Sequence, residues 1–76
     1  MASKKKLAEK GDIITVRENG ADGNCEILIN GQNIAIARIG MLLPFQIARN
    51  YVPKGCEIRF LPLCQYNSLG KSFKVL

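Results

Sequence analysis

The chain has 76 residues, 47% of them hydrophobic and 22% charged, with seven glycines, three prolines and neither tryptophan nor histidine. At that length one small domain forms and buries roughly 60% of its unfolded surface, which excludes a second domain and a substrate-engulfing cleft. Eleven lysines and arginines against six acids leave +5, enough to attract polyanions, and the apolar share is that of a packed globule rather than of a disordered chain.

Residues 1–10 carry Lys4, Lys5, Lys6 and Lys10 against Glu9, with almost nothing to bury, and read as a flexible basic tail ahead of one domain over 11–76. After Gly11, Ile14 and Val16 alternate with Ile13, Thr15 and Arg17, the period of a first strand. Residues 18–24 then combine two glycines, two asparagines and two acids, which is turn chemistry. Gly20 and Gly23 lack the further glycines and the helix of a phosphate-binding fingerprint.

The strongest local signal follows. Ile27-Leu28-Ile29 and Ile34-Ala35-Ile36 flank Asn30-Gly31, the pair favoured by a type I′ hairpin because both central residues need positive φ. A regular two-residue hairpin sets Ile29 opposite Gln32, Leu28 opposite Asn33, Ile27 opposite Ile34 and Cys25 opposite Ile36. One face then holds Cys25, Ile27, Ile29, Ile34 and Ile36, and the other Glu26, Leu28, Asn33, Ala35 and Ala37. Arg38 rims the end of the apolar face.

Pro44 suits a first helical position, and Leu43, Ile47 and Tyr51 recur every fourth residue, so a helix of about two turns lays an apolar stripe across an open end of the sheet. Cys56, Ile58 and Phe60 alternate with Glu57, Arg59 and Leu61 as a fourth strand with an inward apolar face; Pro62 bends or ends it. A polar loop over 65–71 leads to a fifth strand over 72–76, with Phe73 and Val75 on its inner side. The expected fold is all-β with one short helix, a small five-stranded barrel of the oligonucleotide-binding, S1-like kind.

Three cysteines without a CxxC spacing, and no histidine, give neither a zinc site nor a paired disulfide framework, so no metal or other cofactor is expected and a reducing, cytoplasmic setting is the natural home. The uncharged run over residues 39–48 is broken by Gly40 and Pro44, and no membrane span is expected. Serines confined to Ser3, Ser68 and Ser72, with no paired carboxylates in an apolar run, supply no activated nucleophile, acid or base; an enzyme is not expected.

Charge is unevenly spread. Residues 11–35 carry one arginine against four acids, whereas residues 36–76 carry six cations against Glu57 alone, together with Tyr51, Tyr66, Phe60 and Phe73. Cations interleaved with aromatics suit a surface that holds phosphates and stacks bases. The expected function is therefore binding of RNA or single-stranded nucleic acid, with Arg38, Arg49, Lys54, Arg59, Lys71 and Lys74 on phosphates and Tyr66, in its polar loop, stacking a base.

From Gly11 onward, the order Gly-x-Ile-Ile, Ile-x-Ile-Asn-Gly-Gln-x-Ile-x-Ala, Gly40, Arg49-Asn50-Tyr51, Gly55, Ile58, Tyr66 and Gly70-Lys71 resembles bacterial translation initiation factor one, an S1-like family that binds the small ribosomal subunit. The resemblance implies a role in translation with the ribosome among the partners. Arg49, Tyr51, Tyr66, Lys71 and Lys74 fall where that family has basic or aromatic residues, while its basic cluster is replaced here by Met41, Leu42, Leu43 and Pro44. A second stretch, Gly11-Asp12-Ile13-Ile14 through Glu26 to Ala35, looks like the latter half of the domain shared by flagellar-switch and type III secretion C-ring proteins. It implies the alternative of a protein-interaction or homo-oligomerising β module.

Overall fold

In the computed structural model, which describes residues 7–18, 23–38, 40, 43–62 and 70–76, Asn30 and Gly31 have φ of 53° and 84°. These are the two positive values of a type I′ turn, and they join β2 (Asn24–Ile29) to β3 (Gln32–Arg38). Asparagine does more here than tolerate the conformation. Its Oδ1 accepts the Ile13 amide at 3.0 Å and its own amide donates to the Ile13 carbonyl at 2.8 Å, so the turn is tied to the start of β1 (Ile13–Glu18). Asp12 completes the knot: Oδ1 accepts Asn30 Nδ2 at 3.2 Å and Oδ2 accepts the Glu9 amide at 2.9 Å.

Five antiparallel strands form one sheet in the order β3-β2-β1-β5-β4, with β4 spanning Ile58–Leu61 and β5 Gly70–Val75. The fold is all-β with one short helix, α1 (Pro44–Arg49), inserted between β3 and β4, as the order of sequence patterns implies. The connection carrying α1 returns the chain so that β5 lies beside β1. Among the described residues no pairing joins β3 to β4, so each is an edge with a single strand neighbour there.

The core lies on one face. Ile14 and Val16 of β1, Ile27 and Ile29 of β2, and Phe73 and Val75 of β5 are buried together under Ile47 and Ala48 of α1. A six-residue helix has little stability of its own, and these two side chains hold it on the sheet. Gln46 Oε1 accepts the Leu43 amide at 2.8 Å, closing the first turn behind Pro44.

Four expectations need correction. The hairpin register is regular only as far as Leu28↔Asn33; a bulge at Ile34 then pairs Ile27 with Ala35, Glu26 with Ile36 and Cys25 with Ala37. The extra residue turns the strand over, so Ala35 and Ala37 pack toward the core and Ile36 is 64% exposed. The tail ends sooner than residue 10: Ala8 is fully buried in the core and its amide donates to the Tyr51 carbonyl at 2.8 Å. The helical stripe loses its first member, because Leu43 lies outside the helix and is 65% exposed. Phe60, expected inside, is 46% exposed.

The opposite face of the sheet is less polar than alternation implied. Thr15 and Ser72, opposed across β1 and β5, are fully buried and share a hydrogen bond of 2.8 Å between their hydroxyls. Leu28, the partner of Thr15 on β2, is buried as well. Arg17 donates through Nε and Nη2 to Glu26 Oε1 at 3.1 and 2.9 Å, and Asn33 Nδ2 donates to Oε2 at 2.7 Å.

Candidate nucleic-acid interface

Among the described residues β4 ends the sheet, so a side chain on its core face has a strand neighbour on β5 alone there. Phe60 is in that position. It pairs with Phe73 in register, with ring centroids 5.8 Å apart, and is 46% exposed. Phe45, from the first turn of α1, meets Phe73 edge-on at 5.9 Å and is 41% exposed. Phe73 is thus a buried hub that displays a half-exposed phenyl on each side, and both pairs have the centroid spacing at which aromatic rings attract.

Each displayed ring carries a cation. Arg49 lies one turn beyond Phe45 on α1, and its guanidinium carbon is 5.7 Å from the Phe45 centroid. Lys71 lies two residues before Phe73 on the same face of β5, with Nζ 5.8 Å from the Phe60 centroid. Both distances fall within cation–π range. Leu43, Pro44, Phe45, Phe60, Lys71 and Phe73 line a cleft of about 410 Å³ whose walls are apolar apart from the lysine. Pro44 and Lys71 also line an adjoining hollow of about 300 Å³ with Val16, Glu18 and Gly70.

Gly70 permits that geometry. A Cβ there would sit 2.2 Å from the Val16 carbonyl oxygen and 2.7 Å from Arg17 Cα, so only glycine lets β5 start against β1 where Arg17 and Gly70 pair. A third hollow, of about 190 Å³, lies past the other end of α1 and includes Arg49, Lys54 and Cys56. Arg49 is common to this hollow and to the ring of Phe45, so Lys54, Arg49 and Lys71 stand around the helix.

The remaining cations expected to bind phosphate are elsewhere. Arg59 and Lys74 are register partners on the opposite face of β4 and β5, exposed and directly across from each other. Like charges so placed oppose pairing, and neither is in an ion pair among the described residues. Arg38 is on β3, at the far edge of the sheet. Tyr66 lies outside the described residues. Three of the seven expected contacts therefore gather at α1, two share the back face and one is remote.

Phe45 and Phe60 are the members of the site that the sequence reading does not single out; Phe45 has no role in that reading. The strand pattern assigned Phe60 to the inner side correctly, but it carries no information on whether a further strand covers that side. Two thiols are described, Cys25 buried and Cys56 half-buried, both free. Burial, chiefly, pushes the Cys25 thiol up, with the Glu18 charge adding to it and a hydrogen bond to the Ala37 backbone opposing it. Tyr51 is likewise raised by burial and then by the Cys25 charge. Among the described residues no group of three or more Cys, Asp or Glu side chains comes together to hold a metal, and no helix is long and apolar enough to cross a membrane.

What the fold and cleft define is a small five-stranded antiparallel sheet displaying an aromatic surface edged by cations. Comparison with protein-family models, with curated proteins and with solved structures found no match. The two resemblances accordingly remain expectations from the sequence.

Proposed function

We propose that the domain binds single-stranded nucleic acid, RNA in the first place, across the cleft between α1 and the β4–β5 edge. The observation that carries this reading is the pair of half-exposed phenyl rings, each with a cation within 6 Å of its centroid. Such a surface offers a flat apolar platform for a base and a positive charge beside it for the adjoining phosphate. Bases stack on Phe60 and Phe45, while Lys71, Arg49 and Lys54 neutralise phosphates. Apolar walls with a single charged group supply few hydrogen bonds to base edges, so the expected recognition tolerates sequence and prefers unpaired strands. Under the resemblance to translation initiation factor one, ribosomal RNA in the cytoplasm is the target class.

The test is fluorescence anisotropy with a labelled single-stranded RNA and its duplex at several salt concentrations. Three neutralised phosphates give a slope of log K against log salt near −2, from about −0.7 per phosphate on single strands. The single strand binds more tightly than the duplex. Absence of binding at low salt, or binding that survives removal of both Phe45 and Phe60 side chains undiminished, overturns the reading.

A further inference from the structure

The two edges of the sheet are built differently. An edge strand presents unpaired backbone donors and acceptors to any other strand, and native edges are blunted by shortness, charge or proline. β4 has all three: it is four residues long, contains Arg59 and is followed by Pro62. β3 is blunted only near its ends. It runs for seven residues without a proline, is uncharged from Gln32 to Ala37, and carries its one charge, Arg38, as its last residue. Its one irregularity, the bulge at Ile34, lies near the turn and leaves Ala35–Arg38 in regular register with β2. In the middle of that regular stretch is Ile36, 64% exposed.

We propose that β3 pairs antiparallel with the same strand of a second copy, about a two-fold axis at Ile36. The inference is independent of the nucleic-acid reading. A two-fold strand pair must be self-complementary, and this one is. Ile36 meets the partner's Ile36, Ala35 meets the partner's Ala37, and no two like charges are opposed. Arg38 falls opposite the partner's Ile34. Strand spacings of about 4.8 Å and a rise of about 3.4 Å then place its Cα about 12 Å from that of the partner's Glu26, within reach of an arginine–glutamate pair. Glu26 projects on the face that Ile36 shares, where it already holds Arg17. The copies also meet on their least positive side, since Lys71, Arg49, Lys54, Arg59 and Lys74 all belong to the α1–β4–β5 half.

One strand pair is a small interface, at the weak, transient end of specific contacts, so the expected state is a monomer–dimer equilibrium that moves with concentration. Sedimentation equilibrium from about 10 μM to about 1 mM reads it directly. The weight-average mass rises toward that of two chains across the range. Ile36→Lys sets two ammonium groups together at the axis and weakens dimerisation tenfold or more. Its melting temperature stays near that of the parent, because the replaced side chain is exposed. Arg59→Thr, on the other edge, leaves the mass profile unchanged. A chain that stays monomeric throughout, or a dimer indifferent to Ile36→Lys, overturns the proposal. Retained RNA binding by Ile36→Lys separates this interface from the cleft.

Discussion

Removing either hydroxyl of the Thr15–Ser72 pair tests how the two halves of the sheet are joined. The pair sits on the seam where the β4–β5 hairpin meets the β1–β2–β3 meander. Both residues are fully buried and their hydroxyls are 2.8 Å apart. Thr15→Val keeps the shape but leaves Ser72 Oγ buried without that partner. The lost bond and the stranded group together cost about 1–3 kcal/mol. Ser72→Ala strands Thr15 Oγ in the same way and costs a similar amount. A domain of this length has only about 4–11 kcal/mol of stability in all, so either change is a large fraction of it. In the double variant nothing polar is left unsatisfied, and the expected loss is about 1 kcal/mol or less. The two changes are therefore far from additive, with a coupling of about 1–3 kcal/mol in the cycle. Urea denaturation followed by circular dichroism measures it, and thermal melts give about 4–8 °C per kcal/mol for a domain of this size. A double variant destabilised by the sum of the single losses refutes the argument that the hydroxyls satisfy each other, as does a neutral Thr15→Val.

Further outcomes follow from the same geometry. Gly70→Ala drives a methyl into backbone atoms of β1 and destabilises by about 1–3 kcal/mol, seen as a lower denaturation midpoint; an unchanged midpoint means that the strands are farther apart. Phe60→Ala weakens single-stranded RNA binding by about 1–3 kcal/mol, roughly 5- to 150-fold, and Lys71→Ala flattens the salt slope by about 0.7. Arg59→Ala and Lys74→Ala change anisotropy titrations less, because their side chains point away from the cleft. Cys25 and Tyr51 are both raised in the folded state, which therefore holds their protons more tightly than the unfolded chain does. Their contribution to stability is complete below the unfolded values, about 8.5 for the thiol and about 10 for the phenol, and is lost as pH rises through the folded ones. Denaturation midpoints accordingly fall from about pH 8.5 upward, and Cys25→Ala removes the first part of that fall.

The hairpin was legible in the sequence because its turn is a local problem: two residues must have positive φ, and Asn-Gly is the pair that accepts this most readily. The bulge four residues from Asn30 was not. Counting by twos presupposes that no residue is left over, and Ile34 carries no mark distinguishing it from a regular strand residue. What the structure adds is the burden on the inner face. Cys25, Ile27 and Ile29 already fill it from β2, and α1 lies over the same core. Placing alanines rather than isoleucine opposite Cys25 and Ile27 lets β3 complete that core with small side chains, at the cost of exposing Ile36. The early end of the tail was illegible for a related reason: Ala8 is one alanine among lysines, and its place in the core shows only in its burial and its hydrogen bond to Tyr51.

The same limit governs the site. Composition localised the positive charge to the second half of the chain, but strand parity then divides it. Lys71 and Lys74 are three residues apart on β5, an odd number, so they project from opposite faces, and Arg59 is locked by register to the face of Lys74. A polyanion that runs from the cleft along α1 to the hollow past its end meets Lys71, Arg49 and Lys54 and leaves Arg59 and Lys74 behind the sheet. The +5 of the whole molecule therefore overstates what one strand of nucleic acid can neutralise. This makes the salt slope a sharper test than affinity. A slope near −2 corresponds to the three cations around α1, whereas a slope of about −3.5 corresponds to those three with Arg59 and Lys74, on both faces. A slope of about −3.5 that drops on loss of Arg59 or Lys74 relocates the interface to the β4 edge as a whole. A slope near −2 that ignores them confines it to the aromatic cleft.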